Sequence, residues 1–183
     1  MRIIIAGAGE VGSHLAKLLS REEQDIVVID PDNHRLANLD ANYNLMTLKG
    51  NPISFKDLRQ AGVEKCDLFI AVTPEETQNI LACSIARSIG AQRTVARIDN
   101  FEFMSEEHQE YFTRMGVNAL IYPELLAAQE IYTALHRTWV RQWFELHDGE
   151  IIILGVKLRD NAQIIGMQLK EFAQIKHNFH VAA

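Results

Sequence analysis

The sequence predicts an α/β chain: a doubly wound parallel sheet covered by helices on both faces, followed by the start of a small α+β domain. Three observations carry this. Short, apolar, β-branched runs alternate six times with longer amphipathic stretches, the pattern of strand-helix units wound onto a parallel sheet. The first run, IIIA, leads directly into the glycine-spaced turn GAGEVG, as a tight strand-to-helix connection requires. After residue 139 the rhythm changes to two β-rich runs around an Asp-Gly pair, which signals a hairpin.

The elements follow in order. Candidate strands are IIIA (3–6), IVVID (26–30), LMTL (45–48), LFIAVT (68–73), TVARI (94–98) and ALIY (119–122). Strands buried on both faces need such uniformly apolar runs. Stretches with helical periodicity lie between and after them, at about residues 10–21, 33–40, 54–61, 75–89, 102–115 and 123–138. In the fourth, Ile80, Leu81, Ile85 and Ile89 fill the apolar side and Gly90 is the expected stop. WVRQWFELHDGEIIILGVKLRDN then reads as two strands turning at Asp148-Gly149, with packing as the expected duty of Trp139, Trp143 and Phe144. NAQIIGMQLKEFAQ reads as a loop and a short helix, and the chain ends at HVAA as another strand begins. A hairpin and one helix bury too little to stand alone. The expected organisation is a nucleotide-binding domain with a bridging helix over residues 1–138 and an incomplete second domain over 139–183.

Composition narrows the function. Apolar residues make up 48% and charged residues 23% of the 183, the balance of a folded globular chain. A net charge of -6 without any Lys/Arg-rich run gives no attraction for nucleic acid. Cys66 and Cys83 have no His or Cys at metal-ligand spacing, so no metal is expected and a reduced, cytoplasmic setting fits. No apolar run approaches the roughly 20 residues of a membrane span, and Arg2 leads into a buried strand and not a signal peptide. The seven histidines are scattered and read as surface residues.

Gly7, Gly9 and Gly12 spell G-x-G-x-x-G. The motif gains meaning from context: a strand before it, a helix after it, and an acid about 20 positions on. IIIA precedes it, EVGSHLAKLL follows, and Asp30 ends the next strand. Gly7 then serves the tight turn, Gly9 lets a pyrophosphate approach the backbone, and Gly12 packs the helix on the strand. Asp30 would accept hydrogen bonds from the adenosine ribose, and its charge would repel a 2′-phosphate, favouring NAD over NADP unless Arg35 softens it. The carboxyl ends of the other strands present Asn51, Thr73 and Arg97. Asn51 and Thr73 suit an adenine or ribose edge or a helix cap, and Arg97 suits a phosphate or a partner chain. Glu76 and Asn79 open the helix after Thr73. No Y-x-x-x-K, no G-x-S-x-G and no acid/base group at the cleft is found in residues 1–138, so no catalytic residue is assigned. A sensor fits better than an enzyme, and a small NAD-dependent oxidoreductase lacking its substrate domain is the alternative.

The runs IIIAGAGEVGSHLAKLL, VVIDPDNHRLANL and LKGNPISFKDLRQAGVEKCDLFIAVTPEETQNILACSIARSIGAQRTVARI, continuing through GVNALIYPELLAAQEI, resemble the N-terminal domain of the TrkA family of potassium-uptake regulatory subunits. WFELHDGEIIILGVKLRDNAQIIGMQLKEF resembles the first half of that family's C-terminal ligand-binding domain. The resemblance implies a Rossmann domain that dimerises and assembles into a cytoplasmic ring on a membrane-embedded potassium transporter. NAD or NADH, or ATP and ADP in relatives, would alter the ring's shape, with no insertion of this chain into the membrane. It also implies that Gly7, Gly9 and Gly12 form the phosphate loop, Glu10 and Val11 give backbone donors, Asp30 is the ribose acid, and Asn51, Thr73 and Arg97 make strand-end contacts. Two positions depart from the family's pattern: Asn51 and Glu76 stand where Asp is common.

Overall fold

The computed structural model describes residues 1–136, 140–147 and 150–172. The chain divides into two compact units, with the division after Ala127.

The first unit holds six strands: β1 (Arg2–Ala6), β2 (Asp25–Asp30), β3 (Met46–Lys49), β4 (Leu68–Ala71), β5 (Arg93–Arg97) and β6 (Ala119–Ile121). They form one sheet in the order β3-β2-β1-β4-β5-β6, every neighbouring pair parallel. The strand order therefore reverses between β1 and β4, the place where doubly wound sheets bind ligands beyond their carboxyl ends. This is the predicted Rossmann-like architecture.

Because side chains alternate across a strand, each apolar run feeds two cores. Ile3 and Ile5 of β1, Ile26 and Val28 of β2 and Ile70 of β4 join Ala16, Leu36 and Leu39 on one face. Ile4, Ala6, Val27, Ile29, Phe69 and Ala71 join Leu58, Ile80, Cys83 and Ala86 on the other. Accordingly α1 (Glu10–Leu19) and α2 (Asn33–Asn42) cover the first face, and α3 (Phe55–Gln60) and α4 (Glu76–Ile89) cover the second. Ile4 and Ile5 have no exposed surface at all; burying such a side chain contributes about 1.5–3 kcal/mol.

Local chemistry sets the helix ends. The Asp32 carboxylate accepts from the His34 N–H at 2.8 Å and starts α2; the Ser54 hydroxyl accepts from the Asp57 N–H and starts α3. Gly90 closes α4 as expected. The single helix expected over 102–115 is instead a 3-10 turn, Phe101–Met104, followed by α5 (Glu106–Arg114). The Asn100 side chain caps the turn through the Glu102 N–H, and Ser105 is extended between the two pieces, which breaks the helix there. α6 (Pro123–His136) follows β6.

In the second unit, β7 (Val140–Leu146) and β8 (Ile151–Val156) pair antiparallel, with a register shift between Val140 and Gln142. His147 takes a left-handed φ of 51° at the turn; Trp139, Asp148 and Gly149 lie outside the described residues. Phe144 and Ile151 through Leu154 are exposed on this two-stranded ribbon. A short helix, α7 (Leu169–Phe172), ends the described chain. Among the described residues no helix is long and apolar enough to cross a membrane.

Candidate nucleotide site at the glycine loop

Gly7, Ala8 and Gly9 turn the chain from β1 into α1, and the three glycines of the motif meet different demands. Gly7 has φ +108°, and a Cβ there would stand 3.1 Å from the Thr73 nitrogen and the Val72 carbonyl carbon. Only glycine meets both conditions comfortably. A Cβ on Gly12 would lie 1.8 Å from the Gly7 carbonyl oxygen, so the loop and the first turn of α1 touch backbone to backbone. Gly9 differs: its backbone is extended, at φ -70° and ψ -169°, and a Cβ there would find nothing within 4 Å. The fold itself gives Gly9 no reason to lack a side chain, whereas a ligand resting on the backbone would.

The head of α1 is open. Its first internal bond runs from the Ser13 N–H to the Gly9 carbonyl at 2.9 Å, and no side chain caps the start. The N–H groups of Glu10, Val11 and Gly12 therefore face outward at the positive end of the helix. Such an end seats a phosphate.

Asp30 stands next to this loop, with only 3% of the residue exposed. Its Oδ2 accepts from the Ala8 N–H and its Oδ1 from the Asp32 N–H, both at 2.7 Å. The carboxylate thus ties the loop to the end of β2. Each oxygen retains a further lone pair for a ribose hydroxyl. Arg35 Nη1 lies 4.0 Å from Oδ2, while its Nε pairs with Asp32 at 3.5 Å.

The ends of β4 and β5 are joined by one residue. Asn79 is fully buried at the start of α4. Its Oδ1 accepts from the Thr73 N–H and the Thr73 hydroxyl, each at 2.8 Å. Its Nδ2 donates to the Thr73 carbonyl at 2.9 Å and the Arg97 carbonyl at 3.0 Å. Thr73 is thereby committed inside the protein, and α4 is entered through Glu75 and not through a Thr73 cap. Glu76 Oε2 accepts from the Asp99 and Asn100 N–H groups, both at 2.9 Å, and so fastens the loop after β5 to the head of α4. Arg97 reaches Asp99 Oδ1 with Nη2 at 3.0 Å, and its buried Nε has no hydrogen-bond partner.

The structure therefore brings Gly7, Gly12 and Thr73 into contact and links Thr73 to Arg97 through Asn79. Asn51 lies two positions beyond β3, where its Oδ1 accepts from the Ile53 N–H at 3.0 Å and its own N–H donates to Asp57 at 2.8 Å. Gly50 beside it donates to the Asp30 carbonyl, which keeps this edge near β2. The strongest polar node, Asn79, carries a signal in the sequence: an amide on the same helix stripe as Cys83 and Ala86, both fully buried. A polar side chain on an apolar stripe must find partners inside.

The two thiols take no part. Cys83 is buried against the Val95 carbonyl, and burial pushes its pKa up to about 12; burial likewise raises Cys66 to about 11. No group of three or more His, Cys, Asp or Glu able to hold a metal ion occurs among the described residues.

Comparison with known proteins places these features. Residues 3–123 match the family model of the TrkA-N domain. A Trk system potassium uptake protein TrkA homolog of Archaeoglobus fulgidus is 38% identical over 99% of this chain, which spans 43% of that relative's length. The TrkA-N domain of the inner membrane protein ybaL from Escherichia coli superposes with a TM-score of 0.63 at 21% identity, covering 73% of this chain and 96% of that one. The GsuK channel bound to NAD superposes with a TM-score of 0.59 at 18% identity, covering 80% of this chain and 25% of that one. The family match takes in the glycine loop, Asp30 and the Thr73–Asn79–Arg97 link alike: the chain belongs to the TrkA-N domain family.

Proposed function

We propose that this chain is the nucleotide-sensing part of a regulatory subunit of a potassium uptake transporter, with NAD or NADH as its ligand. The observation that carries the reading is the pair of open features at the loop: an uncapped helix start and a Gly9 whose missing Cβ leaves space that the fold does not use. The N–H groups of Glu10, Val11 and Gly12 would hold the pyrophosphate, and Asp30 would take the adenosine ribose. Arg97, with its unpartnered Nε, and the edge at Asn51 and Thr73 would border the far side. When bound, the dinucleotide supplies negative charge and a ribose to these groups; no side chain is assigned to hydride transfer.

Membership of the TrkA-N family, and the NAD held by the GsuK channel, support the ligand class. In this role the chain works at the cytoplasmic face, docked on the transporter's membrane subunit, as a homodimer or larger ring. A ligand with unequal affinity for two arrangements of that ring shifts the balance between them and so biases ion flux. The test is calorimetry of NAD, NADH, ATP and ADP on one preparation. NAD or NADH binding most tightly supports the reading, preference for ATP or ADP replaces its ligand, and sustained NADH oxidation with a carbonyl substrate overturns it in favour of an oxidoreductase.

A further inference from the structure

We infer that Glu76 is a positioning residue for the nucleotide: it holds the loop after β5 and, through Asp99, keeps Arg97 placed for a phosphate of the bound ligand. The inference rests on the nucleotide reading above and adds to it a residue that itself touches no ligand. Glu76 opens α4, and Arg97 ends β5.

Glu76 Oε2 accepts from two consecutive backbone N–H groups, those of Asp99 and Asn100, at 2.9 Å each. Successive N–H groups turned to one side make a concave seat for an anion, and here the protein's own carboxylate fills it. The start of α4 has no side-chain cap. A carboxylate in that first turn is favoured by the helix dipole, yet this one is spent on the neighbouring loop. Among the described residues no other acceptor serves these two N–H groups, so the loop depends on Glu76 for its place.

Arg97 is anchored to that same helix turn at both of its ends. Its carbonyl accepts from Asn79 Nδ2 at 3.0 Å, and Asn79 follows Glu76 by three positions, on one side of α4. Its guanidinium reaches Asp99 Oδ1 with Nη2 at 3.0 Å, and Asp99 is the residue whose N–H Glu76 holds. Only 24% of the Arg97 side chain is exposed, against 45% for Asp99, and the buried Nε has no partner. A guanidinium carries five N–H donors, so the contact with Asp99 leaves others for a phosphate. An arginine already held spares a ligand the cost of ordering it. Without the Glu76 carboxylate the loop is released, Asp99 is no longer fixed, and the guanidinium loses its guide.

The test is a double-mutant cycle between Glu76 and Arg97, read by calorimetry of NADH on the full chain. Glu76→Ala is expected to weaken NADH binding about fivefold or more, whereas Glu76→Gln, which keeps an acceptor oxygen for the two N–H groups, should stay within about twofold of the parent. Arg97→Gln should weaken binding at least as much as Glu76→Ala. Adding Glu76→Ala to it should cost less than about twofold further, because the route through Arg97 is already cut. Asp99→Ala is the second variant: it cuts the same route at its next link, from an exposed side chain, and should show the same dependence on Arg97. An equal loss from Glu76→Ala with and without Arg97 overturns the positioning role, as a merely weakened fold would produce it. Parent-like binding by Glu76→Ala also overturns it, and so does tighter binding by Asp99→Ala, which would make Asp99 a competitor of the ligand. NADH binding unchanged by Arg97→Gln overturns it while leaving the nucleotide reading intact, and a parent chain that binds no NADH overturns both.

Discussion

Replacing Gly9 by alanine separates what the fold needs from what a ligand needs. In the folded chain the new Cβ has nothing within 4 Å, and the backbone is already in a conformation open to alanine. Two small effects oppose each other. Alanine is a poorer N-cap than glycine, which costs about 0.5–1 kcal/mol, and its stiffer unfolded chain returns about 0.4–1 kcal/mol. Stability should stay within about 0.5 kcal/mol of the parent in urea unfolding followed by circular dichroism. NADH affinity should fall at least tenfold by calorimetry, about 1.4 kcal/mol, because the methyl stands where a phosphate would meet the Glu10 and Val11 N–H groups. Gly12→Ala is the contrasting case. Its Cβ would begin 1.8 Å from the Gly7 oxygen, so backbone must move and folding should lose about 3 kcal/mol or more. The reasoning is refuted if Gly9→Ala binds NADH within threefold of the parent, or if it unfolds as readily as Gly12→Ala.

Asp30→Ala should weaken NADH binding by about 1–3 kcal/mol, and it should also destabilise the ligand-free chain by a similar amount, because the Ala8 and Asp32 N–H groups lose their acceptor; an unchanged urea midpoint would contradict the clamp. Asn79→Leu should cost about 3 kcal/mol in the same assay, since four hydrogen bonds joining Thr73 and Arg97 vanish inside the protein; a loss below about 1 kcal/mol would show the link to be dispensable. Cys66 and Cys83, raised to about 11 and 12 by burial, should resist thiol reagents at pH 8 in the folded chain and react on unfolding. Folding holds both thiols protonated, so their contribution is complete below the thiol's unfolded pKa, near 9. Stability should decline as pH rises from there through about 11–12; a urea midpoint flat from pH 8 to 11 would refute it.

The sheet was legible in the sequence because a parallel strand covered on both faces admits almost nothing but apolar residues, and IIIA and IVVI state this directly. Gly7 and Gly12 were legible for a similar reason, since backbone contact leaves no room for substitution. Polar connections were harder. Asn79 shows in the sequence only as an amide on an apolar stripe and Glu76 as an ordinary first-turn acid, and the partners that define them, the Arg97 carbonyl and the Asp99 and Asn100 N–H groups, come from a strand and loop remote in sequence. The break at Ser105 was hidden because the residues around it keep helical spacing, while the cap that stops the first piece belongs to Asn100. His14 reads as a surface residue; with Lys17 it becomes the wall of a cleft only when α2 is laid beside α1.

The clamp of Asp30 on the Ala8 N–H bears on time as well as on affinity. The loop is fixed to the sheet by the protein's own groups, so docking of a ligand would require no prior folding of the segment proposed to hold it. Association into a preformed seat is governed by diffusion and orientation, and differences among ligands then fall mainly on how fast each one leaves. A sensor of the kind proposed above would follow a rise in nucleotide without delay, and its memory of that rise would be set by the residence time of the bound molecule.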